Sequence, residues 1–488
     1  LLALISLLLA AAPGNRAMLA RVEAQEQLND RLEAHFDSVC GALKSGQRQL
    51  APALTDAAAY PQLKAIVWAT GCSLRALKLE QVGATHAVHL LWEIEGRDAT
   101  GARVTERGEA DGTVRQEKSQ WRLATFVEGT HAVVRRDTAR FVEVATAAGL
   151  ELPRNDVPSS QVELYSAGLT VRDVDGDGRP DVIAFQRNTA FLFRNQGPGL
   201  TFVREVLLEA PRGILITSAI AGDFDGDGDA DLVVTAYANV PSWVLRNDDG
   251  RFVEAGRIPP GGFLHSGAAT DFDGDGKLDL ALLSYPVNAT VPTDPLVSEN
   301  GHPIVLLRGD GALGFSPWPV PKGVLTTRWS LAAMSVDLLG QGRPQLYVAN
   351  DFGKKDLWQF EADGGLRNVA AERGLDDPGY GMSVDIGDLN GDGRLDVYLG
   401  NMFSKAGTRV LAGASGREDL MSQLNKFAQG NAMYLASADG GYVERGEQLA
   451  INRGLWAYAS LMTDIDDDGR LEVAVANGFF SHPVRKDL

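Results

Sequence analysis

Leu28, Leu32, Phe36, Val39 and Leu43 recur at spacings of three and four, which places them on one face of a helix that Gly46 ends. A second helix is expected from about Thr55 to Thr70, interrupted near Pro61. After Gly71 the period changes to two. Val88, Leu90, Trp92 and Ile94 alternate with His89, Leu91, Glu93 and Glu95, the pattern of a half-buried strand. A turn at Gly96 to Gly101 and a strand around Trp121, Leu123 and Thr125 complete an antiparallel set. These elements predict a small α+β domain over residues 18–135. Ahead of it, Leu1 to Ala12 is an apolar run too short to span a bilayer and of the length of a secretory h-region. Residues 1–17 are therefore assigned to a signal peptide, with the remnant of an N-terminal membrane anchor as the alternative.

From residue 136 to 488 the chain repeats itself, and the repeat decides the architecture. Five segments share one pattern: DVDGDGRPD at Asp173, DFDGDGDAD at Asp223, DFDGDGKLD at Asp271, DLNGDGRLD at Asp388 and DIDDDGRLE at Asp464. A sixth, DLLGQGRPQ at Asp337, keeps the frame but not the acids. The starts are separated by 50, 48, 66, 51 and 76 residues, a unit of the size of a propeller blade with two insertions. Behind each loop comes a short apolar run (VIAF, LVVTA, LALL, VYL, VAVA) that reads as a strand buried on both faces.

Each intact loop sets oxygen side chains at positions 1, 3, 5 and 9, with Gly at position 6 where the backbone must turn sharply. Hard oxygen donors in such a loop are calcium chemistry, and the carbonyl at position 7 is expected to add a ligand. An EF-hand would need Glu at position 12 and helices on both sides. Position 12 is instead Ala184, Val234, Leu282, Leu399 and Val475, and a strand follows. Charge agrees with a cation. Lys+Arg number 46 against 64 Asp+Glu, a net charge of −18 that disfavours nucleic acid as a partner. Five Ca²⁺ would bring −18 to −8. The single pair of cysteines, Cys40 and Cys72, allows one disulfide or two buried thiols.

The loops and the stretches FVEVATAAGLEL at Phe141, LFRNQGPGLTFVREV at Leu192, GMSVDIGDLNGDGRLDVYLGNMFSKAG at Gly381 and LWAYASLMTDIDDDGRLEVAVANGFF at Leu455 carry a resemblance. From residue 141 onward the chain resembles the FG-GAP or VCBS repeats of integrin α-subunit-like β-propellers, and the bacterial and animal family related to cartilage acidic protein and ASPIC/UnbV. The resemblance implies four-stranded blades, six or seven in number, and calcium in the loop ahead of a blade strand. It implies calcium ligands at Asp173, Asp175, Asp177 and Asp181; at Asp223, Asp225, Asp227 and Asp231; and at Asp271, Asp273, Asp275 and Asp279. The remaining two sites would use Asp388, Asn390, Asp392 and Asp396, and Asp464, Asp466, Asp468 and Glu472, about five ions in all. Leu339, Gln341 and Gln345 leave the sixth loop without metal. Either further sequence supplies a seventh blade or the segment Thr130 to Tyr165 closes the ring. Helices followed by long hairpins make the N-terminal part similar to the SnoaL-like cone shared with nuclear transport factor two.

The expected function is recognition, adhesion or surface assembly, with a protein or polysaccharide on a propeller face, in a secreted, periplasmic or cell-surface protein. No catalytic residue is assigned. GxSxG and P-loop motifs are lacking from the sequence. The alternative is an enzyme with its site on a propeller face or in the mouth of the cone, where His86, His89, Trp92 and Glu93 are the nearest candidates. His86 and His89 should face opposite sides of their strand. Asn288 opens a glycosylation triplet.

Overall fold

The computed structural model describes residues 16–45, 55, 61, 63–117, 120–136, 141–153, 168–237, 239–285, 298–361, 364–402, 426–427, 429–454 and 457–477. Residues 1–15 of the expected signal segment, Gly46 and Asn288 lie outside the described residues. Backbone packing divides the chain into two units, Leu1–Val142 with Ser404–Ala428, and Glu143–Phe403 with Gln429–Lys486.

The first unit holds one long helix, α1 (Arg16–Lys44), and an antiparallel sheet. The strands run β1 (Trp68–Val82), β2 (Thr85–Arg97), β3 (Arg103–Glu117) and β4 (Gln120–Glu128), and β5 (Ala132–Arg136) also pairs with β3. Leu32, Phe36, Val39 and Leu43 of α1 are buried in one core with Val88, Leu90, Trp92 and Ile94 of β2, as the two periodicities require. A disulfide joins Cys40 of α1 to Cys72 of β1. The second expected helix, Thr55 to Thr70, does not form in its described part. Thr55 bridges Leu123, and β1 begins at Trp68. The reason lies in Glu106, whose buried carboxylate accepts the backbone N–H groups of Lys64 (2.8 Å), Ala65 (2.7 Å) and Ile66 (2.7 Å). Those donors hold an extended segment against the sheet instead of closing helical turns.

The second unit is a succession of sheets in which neighbours in sequence are neighbours in space. Blade 1 comprises β6 (Leu169–Arg172), β7 (Asp181–Gln186), β8 (Thr189–Asn195) and β9 (Phe202–Glu209). Blade 2 comprises β10 (Leu215–Gly222), β11 (Asp231–Tyr237), β12 (Ser242–Asp248) and β13 (Arg251–Ile258). Blade 3 has β14 (Leu264–Thr270), β15 (Asp279–Ser284), β16 (Val305–Gly309) and β17 (Phe315–Pro317). Blade 4 has β18 (Trp329–Val336), β19 (Gln345–Asp351), β20 (Asp356–Phe360) and β21 (Leu366–Asn368). Blade 5 has β22 (Ser383–Gly387), β23 (Asp396–Gly400), β24 (Ala432–Ala436) and β25 (Tyr442–Glu444). The sixth sheet has two strands among the described residues, β26 (Ala457–Thr463) and β27 (Glu472–Asn477). Each is an open antiparallel meander, and the first strands of successive blades lie side by side.

The second strands of blades 2 to 5 are buried along their whole length, as their unbroken apolar runs demand. In blade 1 alternate residues of β7 are only half-buried, and in the sixth sheet Val473, Ala474 and Val475 are half-buried too. Both-face burial therefore needs a blade on each side, and among the described residues the two end blades have one.

Candidate metal centres

Each acidic loop joins the first strand of a blade to the second. Its backbone turns back through left-handed residues at positions 4 and 6, for example Gly176 (φ 69°) and Gly178 (φ 81°). Position 4 of the last loop is Asp467 at φ 59°, the one L residue at either position among the loops.

Three carboxylates tie this turn together. The acid at position 1 accepts the N–H of position 6, as in Gly178 to Asp173 (2.8 Å), Gly276 to Asp271 (2.8 Å) and Gly469 to Asp464 (2.7 Å). The acid at position 5 accepts the N–H of position 7, from Arg179 to Asp177, Asp229 to Asp227, Lys277 to Asp275, Arg394 to Asp392 and Arg470 to Asp468. Position 9 accepts the N–H of position 2, from Val174 to Asp181, Phe224 to Asp231, Phe272 to Asp279, Leu389 to Asp396 and Ile465 to Glu472. Its other oxygen takes an N–H from the third strand or its end, such as Asn195 for Asp181 (2.7 Å) and Asn247 for Asp231 (2.8 Å). Position 9 thus serves as a buried strut between strands as well as a possible ligand, a role that ligand spacing alone does not reveal.

Positions 1, 3 and 9 converge. Asp173, Asp175 and Asp181 bring one oxygen each to within 4.8 Å of the others, as do Asp223, Asp225 and Asp231; Asp271, Asp273 and Asp279; and Asp464, Asp466 and Glu472. Asp177, Asp227, Asp275 and Asp468 stand outside these triples. Among the described residues, no triple of carboxylates forms in the loop Asp388 to Asp396, where Asn390 holds position 3 and donates to Asp392 (3.0 Å).

The donor sets fit a hard cation. Asp173 Oδ1, Asp175 Oδ1 and Asp225 Oδ1 are buried and have no hydrogen-bond partner, a costly state for an anionic oxygen unless a positive charge faces it. Burial first, then the Asp225 and Asp227 charges, pushes Asp231 up to about 6. Burial, then Asp273 and Asp271, does the same for Asp279. Asp181, Asp225 and Asp396 are also raised, chiefly by burial. A divalent ion would reverse each of these penalties.

The loop at Asp337 shows how the turn survives without its acids. Asp337 still accepts the N–H of Gly342 (2.6 Å) and Gln341 (2.8 Å), and Gln345 takes the strut position by accepting the N–H of Leu339 (2.9 Å). The Gln345 amide also donates to the Arg343 carbonyl (2.6 Å), so a neutral side chain replaces the buried charge.

In the first unit the candidate groups of a catalytic mouth do not converge. Trp92 is fully buried in the core, and His86 lies edge-on to Trp121 at 5.3 Å. His89 faces the other way and meets Asp111 at 2.8 Å.

The repeat family described as FG-GAP-like repeat matches residues 173–234, 223–282 and 337–399. Cartilage acidic protein 1 of Homo sapiens and its counterpart in Mus musculus are each 24% identical to the chain over 251 residues. The matched part is 48% of this chain and 30% of those relatives, so the likeness spans under a third of their length. Among solved structures, an Agrocybe aegerita lectin that recognises non-reducing terminal N-acetylglucosamine aligns with a TM-score of 0.34 and 16% identity. It covers 77% of this chain and 80% of its own. The matched repeats contain all four loops from Asp173 to Asp337 and also the loop at Asp388, each leading into the second strand of a four-stranded sheet, and on these grounds the chain carries FG-GAP-like repeats.

Proposed function

We propose that the chain is an exported, calcium-stabilised β-propeller that acts in recognition or surface assembly, with a protein or polysaccharide held on a propeller face. The observation that carries the calcium reading is the convergence of oxygens from positions 1, 3 and 9 within 4.8 Å, with buried oxygens of Asp173, Asp175 and Asp225 left without a donor. Asp388, Asn390, Asp392 and Asp396 make a fifth, weaker site because Asn390 brings no charge. Export is supported by the Cys40–Cys72 disulfide, since such bonds persist in oxidising compartments. Among the described residues no helix is long and apolar enough to cross a membrane.

At the end of the blades opposite the acidic loops, Tyr285, Trp329, Phe352 and Tyr380 form a run of ring contacts across blades 3 to 5, with centroids 5.2 to 5.5 Å apart; all but the half-buried Phe352 are buried, so these rings pack the blades together. Metal analysis after equilibration in calcium should give a stoichiometry near five, and a value of zero or one overturns the calcium reading. Binding to immobilised glycans and extracellular proteins, compared in calcium and in EGTA, tests recognition. Turnover of a soluble substrate without calcium-dependent retention would favour an enzyme instead.

A further inference from the structure

Arginines on the third strands divide the acidic loops into two kinds. Arg194 of β8 reaches back to position 3 of its own loop, with Nη1 3.5 Å from Asp175 Oδ2, and its Nη2 donates to the Gly250 carbonyl in the turn between β12 and β13. Gly250 (φ 85°) leaves room for it, since a Cβ there would stand 2.7 Å from both Arg194 Nη1 and the Asp175 Cβ. Asp175 therefore divides its oxygens: Oδ2 meets the guanidinium, while Oδ1 is buried without a hydrogen bond.

Blade 3 repeats the arrangement. Arg308 of β16 has Nε 3.2 Å from Asp273 Oδ2 and lies over the Trp318 ring, 4.5 Å from its centroid. A Cβ on Gly364, in the turn between β20 and β21 of the next blade, would stand 3.8 Å from Arg308 Nη2. Ladder register puts Arg246 of β12 at the equivalent place in blade 2: Val182, Leu232 and Leu280 pair with Phe193, Leu245 and Leu307, the residues just before the three arginines. Arg246, however, turns to Asp248 (2.9 Å). Among the described residues no base pairs with Asp225, position 3 of the second loop, whose Oδ1 is also buried without a hydrogen bond. In blades 4 and 5 the same register gives Gln359 and Leu435, and position 3 there is Leu339 and Asn390. Among the described third strands, an arginine at this place accompanies only loops with Asp at position 3.

Position 7 widens the difference. Arg179 pairs with Asp177 and Lys277 lies 4.0 Å from Asp275, but the second loop has Asp229 at this position, which accepts the Asp249 N–H at 3.0 Å. The first and third loops thus set two bases against four Asp, which leaves the charge that one divalent ion cancels. The second loop sets five Asp with no base of its own. Ligand charge tunes calcium affinity, and a base that shares a carboxylate with the ion works against binding.

We infer that the second loop is the tight cation site of the propeller, and that Arg194 and Arg308 hold the first and third loops at lower affinity by acting as built-in counter-charges on position 3. The arginines steady those loops, and Arg194 the next blade's turn, whether or not an ion is bound; the second loop has no such substitute. The inference rests on the calcium reading of these loops and adds an order of filling to it.

Calorimetric calcium titration of the full chain, first dialysed free of calcium, tests it. Wild type should show a tight step followed by weaker ones. Asp229→Arg gives the second loop the base that the others carry and should weaken the tight step about tenfold or more, whereas Asp229→Asn, which keeps an acceptor for the Asp249 N–H, should weaken it less. Arg308→Gln should tighten a weak step by about tenfold and lower Tm more in EGTA than in calcium. Arg194→Gln should do the same, and Arg308→Gln is read alone if loss of the bond to Gly250 unfolds the chain. Unchanged or weaker binding in Arg308→Gln, a tight step that survives Asp229→Arg, or wild-type steps of equal strength overturns the inference and leaves the calcium reading standing. If wild type binds no calcium, the calcium reading falls and the inference with it.

Discussion

The side-chain amide of Asn247 donates to the main-chain carbonyl of Val174 at 2.7 Å, so the third strand of blade 2 is bonded to position 2 of the first acidic loop. The same amide group donates to the Ala230 carbonyl of its own loop (3.2 Å). Elsewhere the position-2 carbonyl is met by the next blade through other donors: Leu313 N–H for Phe224 (3.5 Å) and the Tyr442 hydroxyl for Leu338 (3.1 Å). These three loops are therefore joints between blades as well as turns within one.

Asn247→Leu should consequently loosen two blades at once. It removes a fully buried amide and strands the Val174 and Ala230 carbonyls, at about 1–3 kcal/mol for each buried group left unpaired. Asn195→Leu is the comparison, because that amide bonds the Pro180 carbonyl of its own loop. Chemical denaturation should show the larger loss for Asn247→Leu; equal losses would remove the joint from the account.

Calcium should matter to stability through the loops that keep their acids. A site at 100 times its dissociation constant contributes about 2.7 kcal/mol by linkage. EGTA should therefore lower Tm, and Asp225→Asn should reduce the difference between calcium and EGTA. Asp337→Asn also weakens a turn, since Asp337 holds two N–H groups, but it should do so equally in both conditions. The calcium dependence, and not the size of the loss, separates a ligand from a turn former. A Tm indifferent to EGTA would leave the acids as turn formers alone.

The propeller was legible because its signals are local and repeated: ligand spacing, glycine at the turn and an apolar run behind it, as at Asp223 to Tyr237. Position 2 was equally visible as Val174, Phe224, Phe272, Leu338, Leu389 and Ile465, but its role as an inter-blade contact needs the fold. The stretch around Lys64 was misread as helix because its backbone donors are claimed by Glu106, some 40 residues away in sequence. No local pattern announces a partner at that distance. The fourfold oxygen spacing likewise did not show that position 5 is turned to its own backbone while positions 1, 3 and 9 converge.

Asp467→Gly should stabilise the last blade. Asp467 holds position 4 at φ 59°, where the other loops have glycine, and a left-handed L residue costs roughly 1 kcal/mol. Asp tolerates this region better than most residues, which sets the gain at the lower end. The measurement is Tm in EGTA, where no ion masks the change. A fall in Tm would mean that the Asp467 carboxylate contributes more than its backbone strain removes.

Glu106→Ala should be among the most damaging single changes in the first unit. The residue is fully buried, and its carboxylate binds three backbone N–H groups and the His131 ring at 2.7 Å. Removing it leaves those donors buried without an acceptor, at about 1–3 kcal/mol each. Burial works to raise the Glu106 pKa, but the N–H groups of Lys64, Ile66 and Ala65 and the His131 bond outweigh it and hold the carboxyl below its ordinary 4.5. A folded-state pKa below the unfolded one gives stability that is present above about 4.5 and lost as pH falls through the lowered value. Wild type should therefore lose stability in that acid window, and Glu106→Gln, which keeps an acceptor but no titrating group, should lose less of its own stability there. Circular dichroism melts of the two proteins from pH 7 down to pH 3 read the difference. Parallel acid curves would show that the carboxylate charge adds nothing beyond its shape and hydrogen bonds.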